Sequence, residues 1–250
     1  MQKRKVKGLH LFISTIFIGL FSFPFAFAKT LEKRSKKVFH TVVDSSNYFA
    51  SLKPTVLSVY DSLQLNISGI NRSVFEMAQK GFDKLTEQGK ILNDGIISII
   101  DFSLPSSAKR LYVVDMKNYQ VLYNTYVAHG RNSGKEFATS FSNNQSSFKS
   151  SLGFYVTGDT YTGKHGNSLK LEGMEKGIND NAEERAVVMH GADYVNESLI
   201  HSQGYIGRSL GCPAVSPKES NQIINTIKEG TCLFIYSPDD TYNAQSDFLK

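Results

Sequence analysis

The sequence predicts a mainly β, α+β protein: a β-rich domain with one internal helix, preceded by a small helical region. Three observations carry this. Apolar residues follow helical spacing up to Gly89 and strand-like runs from about residue 95 onward. Residues 110–115 and 120–127 are two β-rich runs joined by Met116-Lys117-Asn118-Tyr119, which suits a hairpin turn. Ser216-Pro217-Lys218-Glu219 is a strong helix start, with a cap, proline at the first position and an acid at the third.

At the N-terminal end, Lys3, Arg4, Lys5 and Lys7 precede an almost wholly apolar run from Leu9 to Phe27, closed by Ala26-Phe27-Ala28. This is the three-part pattern of a secretory signal peptide over residues 1–28, cleaved after Ala28, and the mature protein is expected to be exported. An uncleaved anchor is the alternative, since the run approaches spanning length. No cysteine precedes Cys212, so a lipid anchor on a cysteine at the new N-terminus is excluded. The formal net charge is +5, but four of the 28 basic residues sit in this leader. The remainder is close to neutral, which speaks against a nucleic-acid partner.

Residues 29–92 read as a helical N-terminal region. Residues 29–53 are polar and basic with a weak helical pattern through Phe39, Val42, Val43 and Phe49, and Pro54 breaks it. Residues 55–65 are expected to form a short helix, with Val56, Val59, Tyr60 and Leu63 on one face. Residues 71–88 are the clearest helix: Ser73 and Glu76 make a capping box, and Val74, Phe75, Ala78, Phe82 and Leu85 form the buried stripe up to Gly89. The expected role is packing against the main domain.

That domain spans residues 93–237. Strands are expected at residues 96–102, 110–115, 120–127, 153–158, 168–172, 186–190 and 231–236. Residues 131–151 are polar and too long for an ordinary connection, the profile of a lid or binding loop. The helix starting at Pro217 buries Ile223, Ile224 and Ile227 and ends at Gly230. Residues 238–250 form a polar tail.

The chemistry centres on two places. An apolar run, Val187-Val188-Met189, delivers His190 into Gly191, and twenty-two positions later Ser209-Leu210-Gly211 presents Cys212 ahead of Pro213. A thiol is a competent nucleophile as thiolate, and a neighbouring imidazole is the usual means of making one. Backbone N–H groups in such a glycine-flanked turn can form an oxyanion hole. The competing reading is a Cys212–Cys232 disulfide, since these are the only two cysteines and the compartment is oxidising. Cys232, in an apolar strand, fits a buried hydrophobe. Of the other histidines, His201 reads as surface, His129 ends a strand at a loop position with the cleft wall as the alternative, and His165 is a loop residue that is a candidate substrate contact. None has zinc-site spacing, so no metal is expected.

The segment from His190 to Cys212 resembles the L,D-transpeptidase (YkuD-like) domain, whose pattern is His-Gly followed after a spacer by Ser-His-Gly-Cys. The phrases Val188-Met189-His190-Gly191-Ala192-Asp193-Tyr194-Val195 and Gly207-Arg208-Ser209-Leu210-Gly211-Cys212-Pro213-Ala214 are similar to the Gram-negative murein branch. The resemblance implies a YkuD-like β-sandwich in the periplasm acting on peptidoglycan stem peptides without a cofactor. Cys212 would attack the carbonyl of the third stem residue, release the terminal D-Ala and form a thioester. An amine would resolve it to a 3→3 cross-link, water to a carboxypeptidase product. His190 would be the base, oriented by the carbonyl of Gly191, with the N–H groups of Gly211 and Cys212 as oxyanion hole. Arg208, Ser209 and Tyr194 would lie on the substrate side, and penem-type β-lactams would acylate Cys212. The family's usual histidine two positions before the cysteine is Leu210 here, and Pro213-Ala214 follows where Arg or Asn is usual. A wall-binding protein that keeps the fold without catalysis is therefore the alternative.

Overall fold

Strand β1, Ile96–Asp101, is buried at all six positions. It lies between β2, Leu111–Asp115, running antiparallel, and β8, Cys232–Tyr236, running parallel. A strand paired on both edges and covered on its faces carries a continuous apolar run rather than an alternating one, which is what Ile96-Ile97-Ser98-Ile99-Ile100 provides. The structure, a computed structural model, describes residues 58–64 and 68–250. The leader expected at 1–28 and the pattern at 29–53 lie outside the described residues. Among those described, no helix is long and apolar enough to cross a membrane.

Two helices precede β1: α1, Val59–Ser62, and α2, Arg72–Glu87. The α2 stripe of Val74, Phe75, Ala78, Phe82 and Leu85 is buried in the same core as β1 and β8. Its N-cap differs from the expected capping box. Asn71, not Ser73, is the cap, its side chain accepting from the Ser73 N–H at 2.9 Å, and Glu76 faces Arg72 at 3.7 Å instead.

The remaining strands are β3, Gln120–Thr125; β4, Gly153–Gly163; β5, Gly166–Gly173; β6, Val188–Gly191; and β7, Ala214–Val215. All eight form one sheet in the order β3-β2-β1-β8-β4-β5-β6-β7. Its two ends approach each other, because the Ala128 N–H, just past β3, donates to the Ala214 carbonyl of β7 at 2.8 Å. The sheet thus wraps on itself, giving the mainly β architecture expected. In the hairpin joining β2 and β3, Asp115 accepts from the N–H groups of Lys117 and Asn118 at 2.9 and 2.8 Å.

Three helices follow: α3, Glu197–Gln203; α4, Pro217–Ile227; and α5, Asp240–Gln245. Helix α4 buries Ile223, Ile224 and Ile227 as expected but stops at Ile227, where Lys228 turns extended. Helix α3 was unexpected because none of its residues is fully buried, leaving no apolar stripe to read. The C-terminal segment is not merely a polar tail. Tyr242 and Phe248 are buried, and the Tyr242 hydroxyl and Ser246 Oγ both donate to the buried Glu175 carboxylate. The β4–β5 hairpin reaches Gly163 rather than residue 158. Its outer arm alternates between half-buried and exposed polar residues, so it lacks the apolar face that marks a strand in sequence.

Candidate active site

Twenty-two residues apart in sequence, the two chemical centres are brought together by one strand pair. β6 and β7 run parallel with His190 opposite Ala214, two residues beyond Cys212. His190 and Cys212 line one cavity of about 640 Å³, together with His165, Arg185, Tyr194 and Arg208.

His190 is 4% exposed, and its Nδ1 lies 2.9 Å from the Gly191 carbonyl. A carbonyl only accepts, so Nδ1 carries the proton and Nε2 is left as the basic nitrogen. Burial lowers the His190 pKa below its ordinary value, the Gly191 carbonyl pulls it back up, and His165 pushes it down. His165, at the tip of the β4–β5 hairpin, stacks on the His190 ring with centroids 4.4 Å apart.

Cys212 is half-buried, and its Sγ donates to the Ala186 carbonyl at 3.7 Å. Burial raises the thiol pKa, while the Val188 N–H and the Arg185 charge act in the opposite direction. Among the described residues no hydrogen bond joins Sγ to His190. Burial thus pushes both groups toward their uncharged forms, the thiol and the neutral imidazole, on the walls of one cavity. Both cysteines are free, and Cys232 is fully buried in β8, where burial pushes its thiol up.

The turn carrying the cysteine is shaped by Ser209. Its hydroxyl donates to the Cys212 carbonyl at 2.6 Å and accepts the Gly211 N–H at 3.0 Å. Two expectations change. The Gly211 N–H already has a partner, so of the two expected oxyanion donors only the Cys212 N–H lacks an acceptor among the described residues. Ser209, expected on the substrate side, is 4% exposed with its hydroxyl committed to the turn. Gly211 has φ +129°, and a Cβ there would lie 2.9 Å from the Lys149 carbonyl oxygen, so this position needs glycine.

Residues 131–151, expected as a lid or binding loop, contribute Gln145, Ser146 and Phe148 to the cavity wall and also pack behind this turn as a brace. Ser150 Oγ accepts from the Gly130 N–H at 3.0 Å and donates to the Gly211 carbonyl at 3.1 Å, and its own N–H donates to Ser133 Oγ at 2.9 Å. The Ser209 N–H donates to the His129 carbonyl at 2.9 Å, and Arg131 N–H donates to the Ser209 carbonyl at 2.8 Å. Beneath lies a buried pair. Arg110 donates through Nε and Nη2 to the Val127 carbonyl and through Nη2 to His129 Nδ1 at 2.7 Å. His129, expected at a loop or cleft, is instead fully buried, and burial followed by the Arg110 charge holds it neutral with a pKa of about 3.

Tyr194 lines the cavity as a neutral phenol, its pKa pushed up to about 12 mainly by burial. Arg208 is exposed at the rim and donates to the Gly134 carbonyl at 3.1 Å. Leu210 is 60% exposed there. His201 is exposed on α3. Among the described residues no three His, Cys, Asp or Glu side chains converge to hold a metal ion. Sequence reasoning missed Arg185 and Ser150, whose partners lie in distant segments, and Ser133, which holds the Ser150 N–H across its own loop.

A cysteine held in a tight turn, sharing a cleft with an imidazole fixed at one nitrogen, is the arrangement of enzymes that transfer acyl groups through a thioester. The chain belongs to the L,D-transpeptidase catalytic-domain family, YkuD_2, whose model matches residues 66–236. No curated protein matches. Among solved structures, an L,D-transpeptidase from Mycobacterium smegmatis is 14% identical, covering 57% of this chain and 59% of its own, at a TM-score of 0.36. L,D-transpeptidase 3 from Mycobacterium tuberculosis is 8% identical, covering 57% and 61%, at 0.37. The helical cell shape determining protein Pgp2 from Campylobacter jejuni is 12% identical, covering 68% and 58%, at 0.38. The matched region thus spans about three-fifths of each of these solved chains.

Proposed function

We propose that the protein is a periplasmic cysteine acyl-transferase acting on peptidoglycan tetrapeptide stems. The observation that carries this reading is the strand pair that sets His190, with Nδ1 fixed on the Gly191 carbonyl, and Cys212 in one cavity. Cys212 Sγ attacks the carbonyl of the third stem residue as its proton passes to His190 Nε2. The developing oxyanion takes the Cys212 N–H. Collapse breaks the amide bond, His190 returns the proton to the departing D-Ala amine, and a thioester remains. An amine of a second stem, deprotonated by His190, attacks the thioester to give a 3→3 cross-link and frees the thiol. Water in its place gives L,D-carboxypeptidase activity. Arg208 and Tyr194, at the rim and wall of the cavity, suit the carboxylate and amide groups of a stem.

The rival reading is a wall-binding protein without catalysis, favoured by Leu210 and by a resting thiol bonded to Ala186 rather than His190. Incubation with a disaccharide-tetrapeptide separates the two. Release of D-Ala together with a dimeric muropeptide, both lost in Cys212→Ala, is the expected result. Stem binding with no D-Ala release would establish the rival.

A further inference from the structure

Arg185 sits between the 131–151 brace and the cysteine turn. Nη1 donates to the Ser142 carbonyl at 2.9 Å and to Ser151 Oγ, and Nη2 donates to the Lys149 carbonyl at 2.6 Å and to Ser147 Oγ at 3.4 Å. Nη2 also lies 3.4 Å from where a side chain on Gly211 would begin, so the guanidinium rests against the turn that carries Cys212. The next residue, Ala186, has φ +53°, uncommon for a residue with a side chain, and its carbonyl is the one that accepts the Cys212 thiol.

Every acceptor on Arg185 is neutral, and none of the ion pairs among the described residues includes it. A guanidinium stays charged in proteins, so the cavity wall carries a positive charge with no carboxylate at ion-pair distance among the described residues. Of the cavity's three cations, Lys164 and Arg208 are exposed, where salt screens them, and Arg185 alone is half-buried. The cavity's other titratable groups are His190, His165, Tyr161, Tyr194 and Glu184.

We propose that Arg185 is the fixed positive charge that stabilises the Cys212 thiolate as its proton moves to His190 Nε2, a support that Leu210 cannot supply. Only the S–H bond breaks and an N–H bond forms, so no further reactant is needed. A cation close to a thiolate favours the charged form, and the effect strengthens where water is displaced. The 142–151 segment holds the guanidinium against the turn. The proposal rests on Cys212 being the nucleophile.

The test is the pH dependence of Cys212 alkylation by iodoacetamide, followed by intact mass with Cys212→Ala as the site control. Arg185→Gln keeps a donor for the brace but removes the charge. Its alkylation midpoint should move to higher pH, and a midpoint one pH unit higher makes the rate at lower pH roughly tenfold slower. Arg185→Lys keeps the charge but loses the fork, so it should melt at lower temperature yet hold its midpoint near that of the unsubstituted protein. Midpoints unchanged in both variants, with rates merely scaled, would mean that Arg185 is a brace only and overturn the proposal. A Cys212 that resists alkylation at every pH in the unsubstituted protein would overturn the nucleophile reading along with it.

Discussion

Ser209 does for the cysteine turn what a capping residue does for a helix: its hydroxyl closes on the Gly211 N–H and the Cys212 carbonyl. Ser209→Ala leaves a buried N–H without a partner, at a cost of about 1–3 kcal/mol. Urea denaturation should show that loss, and turnover should fall through kcat rather than KM, because the nucleophile loses its aim while the cleft persists. Ser209→Thr, which keeps the hydroxyl, should restore most of both. At this scale the sequence was informative where chemistry is announced locally. His190 closes an apolar strand at a glycine, and Cys212 sits between turn formers. Ser150 and Arg185 were invisible because the groups they hold, the Gly211 and Lys149 carbonyls, are 61 and 36 residues away. For Ser209, nothing in Ser-Leu-Gly-Cys says whether its hydroxyl turns outward to substrate or inward to the turn, where the structure has it.

Among the elements, the β4–β5 hairpin carries the most functional consequence. Its tip lays His165 on the face of His190, covering an imidazole whose pKa is already depressed by burial. His165→Ala removes both the cover and the like charge, so the His190 pKa should rise toward the ordinary histidine value. The acid limb of kcat/KM against pH should move up with it, and an unmoved limb would show that the stacking is without effect on the base. The C-terminal segment makes a second prediction. Removing residues 239–250 strips Tyr242 and Ser246 from the buried Glu175 carboxylate and uncovers apolar core, so the melting temperature should fall by about 10 °C or more. Strands β1 and β8 and helices α2 and α4 were legible because each buries a run or stripe of apolar side chains. The hairpin arm, α3 and α5 were not, because they are made mainly of polar residues whose placement is decided by neighbours rather than by periodicity.

For the molecule as a whole, the buried Arg110–His129 pair links stability to pH. His129 titrates near 6.5 in the unfolded chain and at about 3 when folded. Its neutral, buried form is compatible with folding at full strength above pH 6.5. As pH falls below that value the unfolded chain takes up a proton that the folded one refuses, and stability declines until about pH 3 is reached. Between pH 6.5 and 5 this costs about 2 kcal/mol. Glu175 and Asp101, raised by burial, act in the opposite sense through the carboxylate range. The contribution of His129 is therefore read as the difference between the unsubstituted protein and His129→Gln, whose stability should fall less over the same interval. The α+β class is readable because apolar patterning is local, and the candidate residues His190 and Cys212 stand out in the sequence by the local turn chemistry around them. The wrapped sheet and the brace behind the nucleophile arise where Ala128, Ser150 and Arg185 meet segments far along the chain, which no local pattern reports. The proposed function requires the Cys212 thiol to reach a stem carbonyl in the cavity it shares with His190. The most direct test is the intact mass of the purified protein, quenched in acid during turnover of a disaccharide-tetrapeptide. The account predicts an adduct of the stem lacking its terminal D-Ala, mapped to Cys212, released by hydroxylamine and absent in Cys212→Ala. Undiminished D-Ala release from Cys212→Ala, or an adduct on any other residue, would contradict it.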